Sequence, residues 1–381
     1  MLKRISIHNF KCFVDFDLDL PRISLVVGSN GSGKTSLWEV LAGLQDVIVR
    51  GADISTAFPT RTLTRWRKDE PVQRFGLTLE NDEGTYQYDL EVGHDEKRRI
   101  PTIRREELRS GNRTLHKTID GAITVQHGHS LRKRLAFSRK LSYLSAMEAS
   151  DANEFLIAFR ESVANLWLLA PSPRRIEPTT QAEANWLDRD GANFASWWRG
   201  ILVERTEVSA RLLEALRPAM PGLQGITFER MSSEVRELML NFRIRGSDYK
   251  LSASELSDGQ RSLLLLYGFL YGALDRPATV FIDEPETNLA PHEMQPWLSA
   301  MRMAIEDHGG QVLVISHHPE VIDYVASAHT IQFRRPHGGP AMTNEVTLET
   351  TGGRPVSEWL SRPWAYEDEE EGDQREEEPA P

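Results

Sequence analysis

One stretch near the N-terminus decides the fold: Ile23-Ser-Leu-Val-Val-Gly28-Ser-Asn-Gly-Ser-Gly33-Lys34-Thr35. Its first five residues predict a buried strand, its glycines a loop, and the residues from Lys34 to about Val49 a helix. The N–H groups of such a loop form an anion cradle at the positive end of the helix. The spacing G-x-x-x-x-G-K-[ST] is typical of a phosphate loop. We therefore expect ATP to be held by Ser29, Asn30, Gly31, Ser32, Gly33, Lys34, Thr35 and Ser36.

The C-terminal third of the chain alternates strands and helices, which predicts a largely parallel sheet with helices on its faces. One of its strands, Thr279-Val-Phe-Ile-Asp283, is apolar and is followed directly by Glu284. Ligands bind at the carboxyl edge of such sheets. We therefore expect Asp283 and Thr35 to hold Mg²⁺. Glu284 is the expected general base, and Lys34 the expected contact to the β- and γ-phosphates.

A capping box predicts the start of another helix at Ser257, because Gln260 follows three residues later. The surrounding string, Leu256-Ser-Asp258-Gly259-Gln260, resembles the L-S-G-G-Q signature of ABC-type ATPases and differs from it only at Asp258. In that family the signature of one subunit faces the γ-phosphate held by another. The resemblance thus implies nucleotide contacts for Ser257, Gly259 and Gln260, and a homodimer that closes on ATP.

Three further stretches resemble the SMC and RecF-type ATPases and the small AAA-family ABC-like ATPases of bacterial defence operons. The first hairpin, Ile7-His-Asn-Phe-Lys11-Cys-Phe13, is similar to theirs and implies that Lys11 lies near the nucleotide. The stretch Glu286-Thr-Asn-Leu289 resembles their D-loop, and Ser316-His317-His318-Pro319 their switch-histidine loop. The resemblance is firm over about 1–50 and 250–335. It implies three catalytic residues, namely Lys34, Glu284 and His317.

The resemblance also implies a glutamine that couples two lobes and contacts the metal. Gln126 ends a predicted strand just before a helical region, which is the expected position. Gln73 and Gln87 are alternatives, and an ordinary surface glutamine fits Gln126 equally well. The predicted metal site is accordingly Thr35, Asp283 and Gln126.

These patterns divide the chain into four predicted segments: an ATPase N-lobe with β-hairpins (1–130), a helical insert lobe (131–225), an ATPase C-lobe (226–362) and a disordered acidic tail (363–381). The predicted fold class is α/β, a P-loop ABC-ATPase head with a mixed or parallel sheet, a β-hairpin lobe and a helical lobe. The insert is too short for a long coiled coil. The 64 residues after His317 leave no room for a Toprim nuclease module, so we do not expect this chain to cut DNA itself.

Charge is distributed unevenly along the chain. The formal net charge is −11, but residues 366–381 carry nine acids and one base, so the rest of the chain is close to neutral. Residues Lys97–Lys140, the basic segment, contain thirteen Lys and Arg and three acids. Such a run predicts binding to DNA or RNA through phosphate contacts. A solvated surface, or a surface covered by the acidic tail, explains the same run.

Composition places the protein in the cytoplasm. No apolar run approaches the roughly 20 residues of a membrane helix, and the N-terminus reads as a strand without a signal-peptide core. One cysteine, Cys12, cannot form an internal disulfide.

Three functions fit the motifs. We favour an ATP-gated dimeric switch that acts on a separately encoded effector protein or on nucleic acid, including a role in anti-phage defence. A RecF-like DNA-repair clamp, with DNA as the direct substrate of closure, is the alternative. A transporter ATPase subunit fits less well, because no segment for coupling to a membrane partner is apparent.

Overall fold

The computed structural model describes the following residues: 1–67, 69–95, 100–127, 130–148, 153–326 and 329–362, with the backbone alone at 125–127, at 130–135 and at 348. The predicted acidic tail lies outside these ranges, and so do Lys97, Arg98 and Arg99 of the basic segment. Within these ranges no helix has both the length and the apolar character needed to cross a membrane.

A six-stranded sheet carries the phosphate loop. Its strands are β3 (Ile23–Gly28), β10 (Leu166–Leu169), β15 (Thr279–Asp283), β16 (Gln311–Ile315), β17 (Thr330–Arg334) and β18 (Met342–Val346). They lie in the order β10-β15-β16-β3-β17-β18, and all neighbours are parallel except β17 and β18. The loops after β3, β15 and β16 therefore leave the same edge of the sheet. Because β16 lies between the other two strands, the ends of β3 and β15 are about 10 Å apart.

Successive side chains of these strands enter two different hydrophobic cores, as the pleat of a strand requires. Val280 and Ile282 of β15 lie in one core, and Phe281 between them lies in the other. In β3, Val27 belongs to the first core and Val26 to the second. Both faces of the sheet are thus covered at β3, β10, β15 and β16, which explains why these strands read as nearly continuous apolar runs.

Helices supply much of both cores. The first core contains residues of α5 (Phe194–Glu204), α6 (Glu207–Leu216), α7 (Asp258–Ala273), α8 (Pro291–His308), α9 (Pro319–Val325) and α11 (Val356–Leu360). The second contains residues of α1 (Lys34–Ile48), α2 (Ile54–Ala57), α3 (Tyr143–Ala146) and α4 (Glu154–Ala164). A short helix, α10 (Leu348–Thr351), follows β18.

An antiparallel sheet of eight strands closes the second core. Its strands are β1 (Leu2–Phe10), β2 (Phe13–Asp19), β4 (Val72–Asn81), β5 (Gly84–Asp95), β6 (Ile100–Ser110), β7 (Arg113–Ile119), β8 (Ala122–His127) and β9 (Ser130–Ala136). They lie in the order β2-β1-β4-β5-β6-β7-β8-β9. The prediction of a helical region from Leu131 onward was wrong at its start, because residues 130–136 pair with β8 as the edge strand.

A smaller antiparallel sheet completes the described part, with β11 (Thr179–Thr180), β12 (Leu223–Arg230), β13 (Arg236–Ile244) and β14 (Ser247–Ser252). The predicted helical lobe, 131–225, is therefore only partly helical. Besides α3 to α6 it supplies β9 to the eight-stranded sheet, β10 to the six-stranded sheet and β11 to this one. The pairing of β10 with β15 and of β11 with β13 joins distant segments and is set by tertiary contacts, which local helical spacing does not report.

Candidate nucleotide site

The phosphate loop turns from β3 into α1 with glycines where other residues would not fit. Gly33 has φ 120°, and a Cβ there would lie 3.1 Å from Cys12 Sγ. Gly28 has φ 153°, and its Cβ would lie 2.5 Å from the Phe333 carbonyl oxygen. Both conformations are readily available to glycine alone. The predicted loop is thus formed by backbone that only this glycine pattern allows.

Lys34 is buried inside the loop. Its Nζ donates to the carbonyl oxygens of Gly28, at 2.7 Å, and Ser29, at 3.1 Å. Burial lowers the pKa of Lys34, and the negative charge of Asp283 opposes that shift. The ammonium group therefore lies where the first turn of α1 begins, within range of the carboxylates at the end of β15.

The end of β15 presents two carboxylates. Burial, and then the neighbouring charge of Glu284, raise the pKa of Asp283 to about 6. Glu284 has φ 47°, a left-handed conformation that costs a non-glycine residue about 1–3 kcal/mol. Its N–H donates to the Ile315 carbonyl oxygen at 2.9 Å. This contact fixes the turn, so that Glu284 is exposed at the carboxyl edge.

Glu286 is the residue of the site to which sequence reasoning assigned no role. Its Oε1 accepts hydrogen bonds from the buried Ser316 hydroxyl, at 2.6 Å, and from the His317 N–H, at 3.4 Å. Its Oε2 is buried and has no hydrogen-bond partner among the described residues. Glu286 thus ties the loop after β15 to the loop after β16. A third acid within four residues, Asp283 to Glu286, was the available signal.

His317 faces the same edge. Burial lowers its pKa, the charge of Lys34 lowers it further, and Glu284 and Glu286 act in the opposite direction. The ring is therefore neutral at pH 7 and carries one N–H that can donate to an oxyanion.

These residues fit Mg²⁺ bound with a nucleotide. The carboxylates of Asp283 and Glu284 interact electrostatically with the Lys34 ammonium group, and those of Glu284 and Glu286 with the His317 ring. Three carboxylates therefore face one ammonium group, and a cation would balance the excess of negative charge. The Thr35 hydroxyl is exposed at the helix start, and the buried Ser32 hydroxyl has no partner among the described residues. Hydroxyl and carboxylate oxygens are ligands that Mg²⁺ prefers, and hydroxyl groups can also donate hydrogen bonds to phosphate.

The signature string forms the N-terminus of α7 as predicted. The Ser257 hydroxyl accepts from the Gln260 N–H at 3.2 Å, and the Gln260 side chain accepts from the Ser257 N–H at 3.0 Å. A Cβ on Gly259 would lie 2.9 Å from the Asn288 carbonyl oxygen, so α7 packs closely on the predicted D-loop. No hydrogen bond among the described residues joins Ser257, Gly259 or Gln260 to the phosphate loop of the same chain.

Lys11 lies at the turn between β1 and β2, with φ 48°, and its Nζ is paired with Glu39 of α1. A second cation that sequence reasoning missed is closer to the phosphate loop. Arg335 donates to the Gly31 carbonyl oxygen at 3.1 Å and stacks 5.4 Å from the ring centre of the half-exposed Trp66.

The glutamine prediction gains no support. Gln126 lies on β8, and its side chain is outside the described part of the chain. Four strands separate β8 from β1, a distance across the sheet of about 24 Å. Gln73 is fully buried and bonded to Asn9, Thr62 and His94, whereas Gln87 is exposed on β5.

A phosphate loop after β3, paired carboxylates after β15 and a histidine after β16 define a P-loop ATPase head of the ABC type. The family model described as "AAA domain, putative AbiEii toxin, Type IV TA system" matches residues 23–323. The chain belongs to this family.

Relatives and solved structures agree with this assignment. The chain is 25% identical over 346 residues to the OLD nuclease of Thermus scotoductus, covering 85% of this chain and 60% of that protein. It thus spans less than two thirds of that relative. Among solved structures, an SMC head bound to the C-winged helix domain of ScpA has a TM-score of 0.59 at 12% identity and covers 91% of this chain and 98% of that one.

A second SMC head, with an extended coiled coil and bound to the C-terminal domain of ScpA derived from Pyrococcus furiosus, has a TM-score of 0.53 at 11% identity. It covers 95% of this chain and 99% of that chain. The predicted fold class and the predicted membership of the SMC/RecF-like group are both confirmed.

Proposed function

We propose that this protein binds Mg²⁺-ATP and hydrolyses it at sites shared between two copies of the chain. The observation that carries the proposal is the meeting of Lys34, Asp283, Glu284 and His317 at one edge of the six-stranded sheet. Together they offer a cation for the phosphates, a carboxylate for the metal, a base for the water and an N–H donor, which are the groups that phosphoryl transfer to water requires.

In this mechanism the loop N–H groups and Lys34 hold the β- and γ-phosphates, while Thr35 and Asp283 hold the metal. Mg²⁺ supplies positive charge against the phosphate oxygens. Glu284 orients the attacking water and accepts its proton as the new oxygen–phosphorus bond forms and the bond to the β,γ-bridging oxygen breaks. The neutral His317 ring donates its N–H to a γ-phosphate oxygen, while the backbone N–H of the same residue donates to Glu286.

The second subunit supplies the signature. Ser257 and Gly259 lie at the N-terminus of α7, whose N–H groups and dipole favour an anion. They make no hydrogen bond to the phosphate loop of their own chain among the described residues. Their use in catalysis therefore needs a partner molecule, and ATP would join the two subunits head to tail.

The test separates binding from turnover. Lys34→Ala should lose nucleotide binding, since the phosphate cradle loses its cation. Glu284→Gln should bind ATP, accumulate as a dimer and release phosphate at a rate lower by about 10²-fold or more. The measurements are fluorescent-nucleotide binding, size-exclusion chromatography with ATP and phosphate release. The exposed Glu349→Gln serves as a matched control. Normal turnover by Glu284→Gln would show that Glu284 is not the base.

We further propose that the two states, open and ATP-closed, are detected in the cytoplasm by a separately encoded effector. The family description, a putative toxin of a toxin–antitoxin system, supports a role in defence against phage. Phage plating on cells that carry this gene with its neighbouring genes tests this: Lys34→Ala should abolish protection. Equal protection by the wild-type and Lys34→Ala proteins would contradict it.

The RecF-like clamp remains the second candidate, and the basic segment is the observation that favours it. Several basic residues of this segment already form ion pairs in the structure: Arg105 and Lys117 with Glu107, Arg109 with Asp89, and Arg139 with Asp120. These pairs reduce the charge available for nucleic acid. Residues Arg132, Lys133 and Arg134 lie on the edge strand β9, so their contribution decides this candidate.

A further inference from the structure

Asp258 is the one departure of this chain from the ABC signature string, and its position makes it chemically awkward. It is the first residue of α7, next to Ser257, at the tip that the proposed function turns toward the γ-phosphate of a second copy. A free carboxylate at this tip would repel the phosphate, because water is excluded there when the two subunits close. A compensating cation is therefore expected beside it.

The structure places Arg174 against this carboxylate. Arg174 Nε donates to Asp258 Oδ2 at 2.8 Å, across 84 residues of sequence. The Arg174 side chain is 80% exposed, whereas that of Asp258 is 29% exposed. Only Nε is used: neither Nη atom has a hydrogen-bond acceptor among the described residues. The Nη edge of the guanidinium group is thus free to bind an anion.

Arg174 stands on a fixed support. It belongs to the 3₁₀ turn Pro173–Arg175, in which Pro173 is buried and restricts the backbone. The next residue, Arg175, is paired with Asp190 at 2.7 Å, and its N–H donates to the Ser172 carbonyl oxygen at 2.8 Å. The turn is therefore held against the N-terminus of α7, and Arg174 moves with the signature helix as one unit.

We propose that Arg174 is an arginine supplied in trans, whose Nη groups contact the γ-phosphate bound by the partner subunit while Asp258 holds its Nε. This inference rests on the shared-site ATPase proposed above and extends it to a residue outside all its motifs. Arginine is suited to this task because its planar fork bonds two phosphate oxygens at once. A guanidinium group supplied to a phosphoryl-transfer site raises kcat by about 10³-fold or more.

A simpler role for Arg174, neutralising Asp258 without touching the phosphate, gives a different result in a double variant. We expect Arg174→Ala to lower kcat by about 10³-fold and to leave fluorescent-nucleotide binding to the monomer unchanged. The double variant Arg174→Ala/Asp258→Gly should remain as inactive as Arg174→Ala. If Arg174 only cancels a charge, removing Asp258 restores turnover, and that restoration overturns the proposal.

The matched control is Arg243→Ala. Arg243 is also an exposed arginine whose Nε is held by an aspartate, Asp248, at 2.7 Å, but it lies on β13. Its removal should leave kcat unchanged. Thermal unfolding of all variants checks that each is folded. Equal kcat for Arg174→Ala and Arg243→Ala would show that Arg174 is an ordinary surface ion pair.

Mixing tests whether Arg174 acts in trans. A dimer of one Arg174→Ala chain and one Lys34→Ala chain has one site with an intact loop and an intact arginine from the partner. Random mixing should restore about a quarter of the wild-type rate, because half of the dimers carry one intact site of two. Arg174 acting within its own chain would give no recovery, which overturns the proposal.

A parallel mixture of Ser257→Arg with Lys34→Ala distinguishes failure of this inference from failure of the proposed function. Recovery with Ser257→Arg but not with Arg174→Ala refutes the role of Arg174 alone. No recovery in either mixture refutes the shared site, and the trans role of Arg174 with it. Absence of ATP hydrolysis by the wild-type protein refutes the proposed function itself.

Discussion

Three carboxylates and one ammonium group set the chemistry at the residue scale. Asp283 is the last residue of β15 and Glu284 follows it directly, so the strand places both at the carboxyl edge. Glu286 acts instead through the hydrogen bonds that it accepts from Ser316 and His317. An ionised acceptor makes such bonds stronger than neutral ones, about 1.5–3 kcal/mol each. We therefore expect Glu286 to be a positioning residue: by accepting from the Ser316 hydroxyl and from the backbone N–H of His317, it fixes the backbone that carries the His317 ring.

We predict that Glu286→Ala lowers kcat by about 10-fold or more while the affinity for ATP changes little, since the bond it removes orients His317 and not the nucleotide. Ser316→Ala removes one of the two bonds and should have a smaller effect. The double variant should lose little more than Glu286→Ala, because the bond between Glu286 and Ser316 is then already broken and only the bond from the His318 N–H to the Ser316 hydroxyl is lost in addition. Steady-state kinetics with nucleotide binding in parallel measure this. Additive losses in kcat would show that Glu286 and Ser316 act independently of each other.

At the scale of elements, the junction of β4, β5 and the segment before them is held by a buried histidine. His94, only 2% exposed, bonds to Gln73 of β4 at 3.0 Å and to the Thr60 hydroxyl at 3.2 Å. Burial, and then the charge of Arg104, lower the pKa of His94 from 6.5 to about 4. The folded protein thus excludes a proton that the unfolded chain binds below about pH 6.5.

The free energy of unfolding should therefore fall as the pH is lowered. Between about pH 6.5 and 4 the unfolded chain carries the extra proton, so His94 should lower the free energy of unfolding by up to about 1.4 kcal/mol for each pH unit of acidification. His94→Gln keeps polar groups at the site but has no titrating ring. Urea unfolding across this range should show a shallower pH slope for His94→Gln than for the wild type. Identical slopes would contradict the assignment.

At the scale of the whole molecule, the two large sheets present opposite properties. The central strands of the six-stranded sheet are covered on both faces and lead to the proposed nucleotide site. The eight-stranded sheet ends at β9, an edge strand with three consecutive basic residues. The acidic tail lies beyond the described residues and accounts for most of the formal net charge of −11. Charge attraction between the tail and the basic segment would compete with nucleic acid.

We predict that binding of duplex DNA or RNA strengthens when residues 366–381 are deleted and weakens steeply with salt. Reversal of Arg132, Lys133 and Arg134 to Glu should make the negative slope of log K against log salt shallower by about 3 for duplex DNA. A matched reversal of Arg230, Arg243 and Lys250, on the four-stranded sheet, should leave the slope unchanged. Filter binding over a salt series measures both. Affinity insensitive to salt and to the first reversal would leave the basic segment as solvated surface.

The sequence by itself determined the elements that depend on neighbouring residues. The phosphate loop needs glycines at Gly28 and Gly33 for its backbone, and the start of α7 is fixed by hydrogen bonds between Ser257 and Gln260, three residues apart. The strand that ends at Asp283 was equally clear, since both of its faces are apolar. Local rules suffice here because the interacting groups lie within one turn or one strand.

The tertiary structure alone decided the contacts that join distant segments. Glu286 meets Ser316 across 30 residues, Arg174 meets Asp258 across 84, and Arg335 meets Gly31 across 304. The pairing of β10 with β15, in which Leu166 lies opposite Thr279, likewise overrode a helical spacing, because a strand gains its hydrogen bonds from a neighbouring strand and not from its own turns. Which side chains share a site is set by how the sheets and helices pack, and no periodicity within one segment records that.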